Sequence, residues 1–328
     1  MIFLYNKVMK KVSIIIPFKG QTESDLAIAL SSINNQIGVD FSTIDVHLVN
    51  DGGASIDLTK FDIFANLKIC YHELPESVGA GNARQYGIDH SESEYIMFVD
   101  SDDELHFAGA LLEFFNVCKY HGEHKMIIAR YIEEFKNSEG EYRYVTHSAR
   151  DWKSVYAKWF RRSYLGKMGL RFHSDLRIYE DTYFVGLSCQ LSDDSYYLDS
   201  VVYTWICNPD SIVRSNGRSF QHQTHTWALE NRLYLEVIRD KQPINLKRDL
   251  ENYVADVYMR YNFYPPADEK SFWKEHRKLL AEFSDVWDGY SPALQRKVDF
   301  LRDQKDGKWP GVATEGFKSF VEKGRDRQ

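Results

Sequence analysis

Asp100-Ser101-Asp102-Asp103 places three carboxylates in four residues, directly after the apolar run Tyr95 to Val99. In an extended segment Asp100 and Asp102 would point to one side, because strand side chains alternate. Two carboxylates that close repel each other unless a positive group joins them. A hard divalent cation is the usual joining group, with substrate phosphate oxygens completing its shell. The same residues also suit a solvated acidic turn or a helix N-cap. A second acidic pair, Glu180-Asp181, reads either as a general base within reach of a hydroxyl or as the first turn of a helix. Ahead of both in the chain lies Gly79-Ala80-Gly81-Asn82-Ala83-Arg84. Its glycines permit close backbone approach, and a following helix N-terminus suits an anion. A plain loop-to-helix junction explains it equally well. It is neither a GxGxxG fingerprint nor a P-loop, since no Gly-Lys-Ser/Thr follows.

The elements that must position these groups are legible around them. Val12 to Phe18 is an apolar, mostly β-branched run, as expected for a strand buried on both faces. Pro17 suits its terminus. Thr22 with Asp25 forms a capping-box pattern, and Leu26, Leu30, Ile33 and Ile37 recur on one helical face. Val46 to Val49 predicts a second strand ending in the turn Asn50-Asp51-Gly52-Gly53, and Lys68 to His72 a third. Ala80 to Asp89 predicts a helix, Tyr95 to Val99 a strand, and Ala108, Leu111, Leu112, Phe115 and Cys118 another helix. Met126 to Tyr131 and Tyr142 to Val145 read as a hairpin around Lys136 to Gly140. This alternation implies an α/β fold with a mostly parallel sheet and flanking helices. Ligands of such sheets bind beyond the carboxyl ends of the strands, which is where the turns at residues 17–20, 50–53 and 100–103 lie. From His222 the pattern becomes long and helical, interrupted by Pro265-Pro266. We divide the chain into a catalytic domain, residues 1–220, and a mainly helical appendage, residues 221–328.

Composition narrows the classes further. The 328 residues are 43% hydrophobic and 27% charged, enough for a sizeable core. A net charge of -7 gives no electrostatic reason to bind a polyanion. Aromatics make up 15% of the chain, and core packing is their default use. Four scattered cysteines, Cys70, Cys118, Cys189 and Cys207, read as reduced thiols. No apolar stretch is long enough to span a membrane, and residues 1–11 lack the apolar core and cleavage site of a signal peptide. A cytoplasmic location is expected.

Taken in order, Pro17-Phe18, Ser32 to Gln36, Val49 to Gly52, Gly79 to Arg84 and Phe98 to Asp103 resemble the N-terminal half of family 2 glycosyltransferases with the GT-A fold. Tyr156 to Arg162 resembles the family's acceptor-side segment, and Phe172 followed by Tyr179 to Phe184 its Glu-Asp motif. Tyr203 to Trp205 and Asn208 to Ile212 resemble the stretch leading to its diphosphate-covering loop. The resemblance spans about residues 11–216. Gly20, Asn50, Gln85 and Cys207 depart from the family's usual residues.

The resemblance implies an inverting transfer of a sugar from a nucleotide-diphosphate donor, expected to be a UDP-sugar, to a hydroxyl. It implies that Pro17, Phe18, Asp51, Gly79, Arg84 and Asp100 hold the nucleotide side, with Ser211 and Arg214 closing over the diphosphate. Asp102, with Asp100, would bind Mn²⁺ or Mg²⁺. Asp181 would be the general base and Glu180 its supporting neighbour. The acceptor would be a glycan or polyol. A modified base in DNA is also compatible with the basic tail Lys318, Lys323, Arg325 and Arg327. The appendage would contact the acceptor or a second copy of the chain. Two other classes remain: a sugar-nucleotide nucleotidyltransferase, for which Phe18-Lys19-Gly20 is a poor triphosphate loop, and a non-catalytic nucleotide-sugar-binding module.

Overall fold

The structure, a computed structural model, describes residues 10–208, 220–304 and 308–326. The chain divides into two compact units, residues 1–208 and 209–328.

In the first unit, β1 (Val12–Phe18), β2 (Ile44–Asn50), β3 (Ile69–Glu73) and β4 (Tyr95–Phe98) are joined through α1 (Glu23–Asn34) and α2 (Ala80–Asp89). Next come β5 (Glu104–Leu105), α3 (Ala110–Tyr120) and the hairpin β6 (Met126–Lys136) and β7 (Tyr142–His147). The unit ends with β8 (Lys158–Arg161), α4 (Arg162–Met168), α5 (Glu180–Gln190) and β9 (Ser195–Trp205). The described strands form one sheet in the order β3-β2-β1-β4-β8-β6-β9-β5, with β7 on β6. β1 runs parallel to both β2 and β4, and β2 parallel to β3. β8 is antiparallel to its neighbours β4 and β6, whereas β6 and β9 are again parallel.

Every residue of β1 is buried, as its unbroken apolar run requires. Burying each of its large side chains contributes about 1.5–3 kcal/mol. Thr22 caps α1 in a full capping box with Asp25. Leu26, Leu30 and Ile33 are buried as expected, but Ile37 is 63% exposed. The helix stops at Asn34, so the chain has left the helical path before the fourth repeat. In α3 the buried face is Ala110, Leu111, Phe114 and Val117, which shares Leu111 with the expected set of Ala108, Leu111, Leu112, Phe115 and Cys118 but is otherwise rotated from it. Trp159 on β8 is the reason. Its buried ring stacks on Phe114 at 5.1 Å between centroids and meets the edge of Phe115 at 5.3 Å.

The second unit contains α6 (Phe220–Lys241), α7 (Pro243–Phe263), α8 (Glu269–Glu282), α9 (Pro292–Asp303) and α10 (Phe317–Arg325). Proline opens α7 and α9, where a missing N–H costs nothing. Leu250, Val254, Val257, Phe272, Leu279, Val298 and Val321 are buried. Arg260 pairs with Asp256 at 2.6 Å and lies 4.9–5.5 Å from the rings of Trp227, Phe220 and Trp309. No helix among the described residues is long and apolar enough to cross a membrane.

Candidate active site

The site is built from three loops beyond the carboxyl ends of β1, β2 and β4 and from the start of α5. At the first two strand ends, Asp51 N donates to Phe18 O at 2.8 Å. Pro17 and Phe18 are both buried. Asn50 is fully buried and works as a clamp on its own turn. Its Oδ1 accepts from Gly53 N at 2.8 Å, and its Nδ2 donates to Ala54 O at 3.0 Å and Gly53 O at 3.4 Å. An aspartate could accept there but could not donate. This explains one departure from the family pattern.

Asp51 reaches across to the next loop. Its carboxylate accepts from Ser77 Oγ at 2.8 Å, Val78 N at 2.7 Å and Gly79 N at 3.0 Å. The two loops touch so closely that a Cβ on Gly52 would stand 2.4 Å from Ser77 N, and Gly52 has φ +68°. Gly79, at φ +93°, then turns the chain into α2. Both positions therefore need glycine.

The acidic segment after β4 is a turn, closed by Asp103 N donating to Asp100 O at 3.1 Å. The alternation expected of an extended segment does not apply, and the three carboxylates go separate ways. Asp100 accepts from Arg84 Nη2 at 2.7 Å. Asp102 accepts from Asn208 Nδ2 at 2.7 Å. Asp103 is buried, accepting from Tyr203 Oη at 2.7 Å and Ile206 N at 2.8 Å. Burial, and then the charge of Asp100, holds the Asp103 carboxyl well above the usual carboxylate range. Tyr203 Oη in turn accepts from Asp100 N at 3.0 Å, so the end of β9 is riveted to the acidic turn.

No group of three His, Cys, Asp or Glu side chains able to hold a metal occurs among the described residues. A cation here would take Asp102 as its main protein ligand and need further oxygens from a ligand and water. That donor set suits Mg²⁺ or Mn²⁺ beside a diphosphate.

On the facing side, Tyr179 starts α5 at φ +64°, a conformation a side chain adopts only under constraint. It swings Glu180 and Asp181 toward the first turn of α2. Gly81 receives Glu180, for a Cβ there would lie 2.6 Å from Glu180 Cγ and 3.3 Å from the Phe172 ring. One turn on, Arg84 Nη1 donates to Glu180 Oε1 at 3.1 Å. Burial opposes the charge on Arg84, but Asp100 and then Glu180 more than offset this, so its pKa rises further. Glu180 is pushed up to about 7 by burial and then by its neighbour Asp181. Asp181 is also raised, by burial first, against the opposing pull of Arg84 and of Thr182 N, which donates to Asp181 Oδ1 at 2.7 Å.

Asp51, Gly79, Arg84, Asp100, Asp102, Glu180 and Asp181 thus belong to one linked set of loops and helix starts. Ser211 and Arg214 lie outside the described residues. Gln85, noted only as a departure from the family, and Lys158, noted only within Tyr156 to Arg162, also shape the site. Gln85 donates to Asp89 Oδ1 at 3.0 Å and accepts from Phe172 N at 3.0 Å, fixing the segment before α5. Lys158 is fully buried, donating to Ser154 O at 2.7 Å and lying 3.4 Å from Asp151. The signal for Asp103 was present, as the third acid of its motif. Tyr203 was marked only through the family resemblance of Tyr203 to Trp205, which gave no sign of its bond to Asp103.

Comparison with known proteins bears on the fold and the family. Staphylococcus aureus TarS matches with a TM-score of 0.65 at 17% identity, over 82% of this chain and 80% of that one. TarS in complex with UDP-GlcNAc matches with 0.65 at 18% identity over the same shares, and with UDP with 0.62 at 16% over 84% and 83%. At these identities the likeness is one of fold, and the fold is GT-A. No curated protein matches in sequence. Glycosyl transferase family 2 matches residues 13–174, a stretch that includes Asp51, Arg84 and Asp100 to Asp103 and stops short of α5. The chain belongs to glycosyl transferase family 2 and is a glycosyltransferase.

Proposed function

We propose that this protein transfers a sugar from a UDP-sugar to a hydroxyl of a glycan or polyol, inverting the anomeric centre, with Asp181 as general base. One observation carries the reading. The acidic turn after β4 and the acidic start of α5, far apart in sequence, converge on one buried guanidinium, Arg84. The likeness in fold to TarS, solved with UDP-GlcNAc, supports UDP as the nucleotide.

In this reading Pro17, Phe18 and Gly79 frame the nucleoside side, and Asp51 shapes it by fixing the loop at 77–79. Asp100 contributes to the same half. Ser211 and Arg214 are assigned to the diphosphate. Asp102, with Asp100 beside it, would hold Mn²⁺ or Mg²⁺, which when bound neutralises charge on the diphosphate. The acceptor oxygen attacks the anomeric carbon on the face opposite the leaving diphosphate. Its proton passes to a carboxylate oxygen of Asp181 as the carbon–oxygen bond to the diphosphate breaks. A single displacement needs no enzyme nucleophile. All described residues given a role here lie within residues 17–181, and we assign residues 221–328 to contacts with the acceptor or a second copy.

The test is release of UDP from a panel of UDP-sugars with glycan and polyol acceptors, with Mn²⁺ and with excess chelator. Turnover should need the cation. Asp181→Asn should lower it by on the order of 10²- to 10⁴-fold while nucleotide affinity stays close to that of the parent. Near-parental turnover of Asp181→Asn would overturn the assignment of the base.

A further inference from the structure

We propose that Arg84 and Glu180 are positioning residues: Arg84 clamps the base-bearing start of α5 to the acidic turn and meets the nucleotide only through Asp100. This rests on the proposed function, because it concerns how Asp181 is held.

The geometry leaves Arg84 little else to do. Its side chain is 7% exposed, and its two terminal nitrogens are spent on two carboxylates from different parts of the chain. The guanidinium is a rigid planar fork, so fixing both tips fixes the separation and angle of the groups it holds. Its buried Nε finds no acceptor among the described residues. That unpaired donor is a cost which the two ion pairs must offset.

The rest of the local structure serves the same contact. Gly81 precedes Arg84 by three residues, so the two share a face of α2. The absent Cβ of Gly81 is the notch into which Glu180 fits. Tyr179 takes a costly backbone conformation to deliver Glu180 there. Once Glu180 is pinned, the next side chain, Asp181, projects about 100° round the helix axis. Its direction is thereby set, with the Thr182 N–H donating to its Oδ1. The clamp also places charges of opposite sign near Asp181. Arg84 favours its ionised form, as its opposing influence on the raised Asp181 carboxyl indicates, whereas Asp100 disfavours it.

Three variants of the full chain, Glu180→Ala, Glu180→Gln and Arg84→Lys, test the clamp by kcat, KM for the donor, nucleotide affinity by calorimetry, and the pH profile of kcat/KM. Glu180→Ala and Arg84→Lys should each lower kcat by on the order of 10²-fold, the scale expected of an ångström's misplacement. A lysine is a point charge that serves one carboxylate at a time. Nucleotide affinity should stay within about threefold of the parent in Glu180→Ala, since the donor is held elsewhere. Glu180→Gln keeps an acceptor for Arg84 and should restore most of kcat. Because Glu180, raised to about 7, already holds its proton at lower pH, the acid limb of the profile should stay close to the parent's.

Parental kcat in Glu180→Ala would overturn the clamp, as would a loss of kcat in Glu180→Gln as large as in Glu180→Ala. So would a loss confined to nucleotide affinity in Arg84→Lys, which would make Arg84 a direct donor contact. If Arg84→Lys fails to fold, the two Glu180 variants decide. Failure of the wider reading appears separately, as an Asp181→Asn variant that keeps its turnover.

Discussion

Gly81→Ala is a one-carbon perturbation whose consequence can be worked out from the structure. In a helix interior alanine is favoured over glycine by about 1 kcal/mol, so local propensity alone predicts a more stable protein. The added Cβ, however, would sit 2.6 Å from Glu180 Cγ and 2.9 Å from Glu180 Cβ. Ordinary contact begins at 3.4 Å, so Glu180 must retreat by about 0.8 Å. The Glu180 Cβ cannot swing aside as a flexible tip could, so the first turn of α5 moves with it. Overpacking of this kind costs about 1–3 kcal/mol, leaving a net loss of about 0–2 kcal/mol once the helix gain is counted. The same retreat stretches the 3.1 Å bond from Arg84 beyond useful length. Turnover should fall by roughly 10- to 10²-fold, out of proportion to the stability change. Urea unfolding followed by kinetics on the folded fraction separates the two effects. Gly87→Ala is the control, because its Cβ would meet Ile15 Cγ2 at 2.6 Å in the core and should cost stability without changing turnover per folded molecule. Gly81→Ala with parental turnover would refute the reasoning.

Two further predictions concern buried polar groups. Glu180 is raised in the fold from 4.5 to about 7, so between these values the folded state holds a proton that the unfolded chain has released. Its contribution to stability therefore declines as pH rises through that window and levels off above about 7; melting temperature against pH should lose this downward component in Glu180→Gln. Asn50→Asp removes the donors to Gly53 O and Ala54 O and sets a carboxylate against two carbonyls. It should lower stability by about 1–3 kcal/mol and weaken nucleotide binding, as unfolding and calorimetry would reveal.

Much of the donor half was legible because its signals are local. A strand such as Val12–Phe18 announces its burial through composition, Thr22 and Asp25 write their own cap, and Asp100-Ser101-Asp102-Asp103 ends a strand with an unusual density of charge. The helix faces were less secure. The phase of α3 is set by Trp159, a residue from another strand, which periodicity within the helix cannot reveal. The partners of the acidic groups were less legible still. That Asp51 organises residues 77–79, that Asp103 meets Tyr203, and that Gly81 makes room for a carboxylate and not a phosphate all depend on long-range approach. Gln85 looked like a departure from the family and proves to be a tie to Phe172.

The distance in sequence between Arg84 and its two partners also orders the events of synthesis. Asp100 follows Arg84 by 16 residues, whereas Glu180 follows it by 96. As the chain leaves the ribosome, the βα units that carry Asp51, Arg84 and Asp100 are complete while α5 is still unmade. Their contacts are near in sequence, so the loop-closure entropy of this half is small. The notch at Gly81 stands open through that interval, with the guanidinium committed on one side only. Arrival of Glu180 closes it and, in the same step, installs the base. A half-made chain can therefore assemble its nucleotide-side framework before it holds the group assigned to the chemistry.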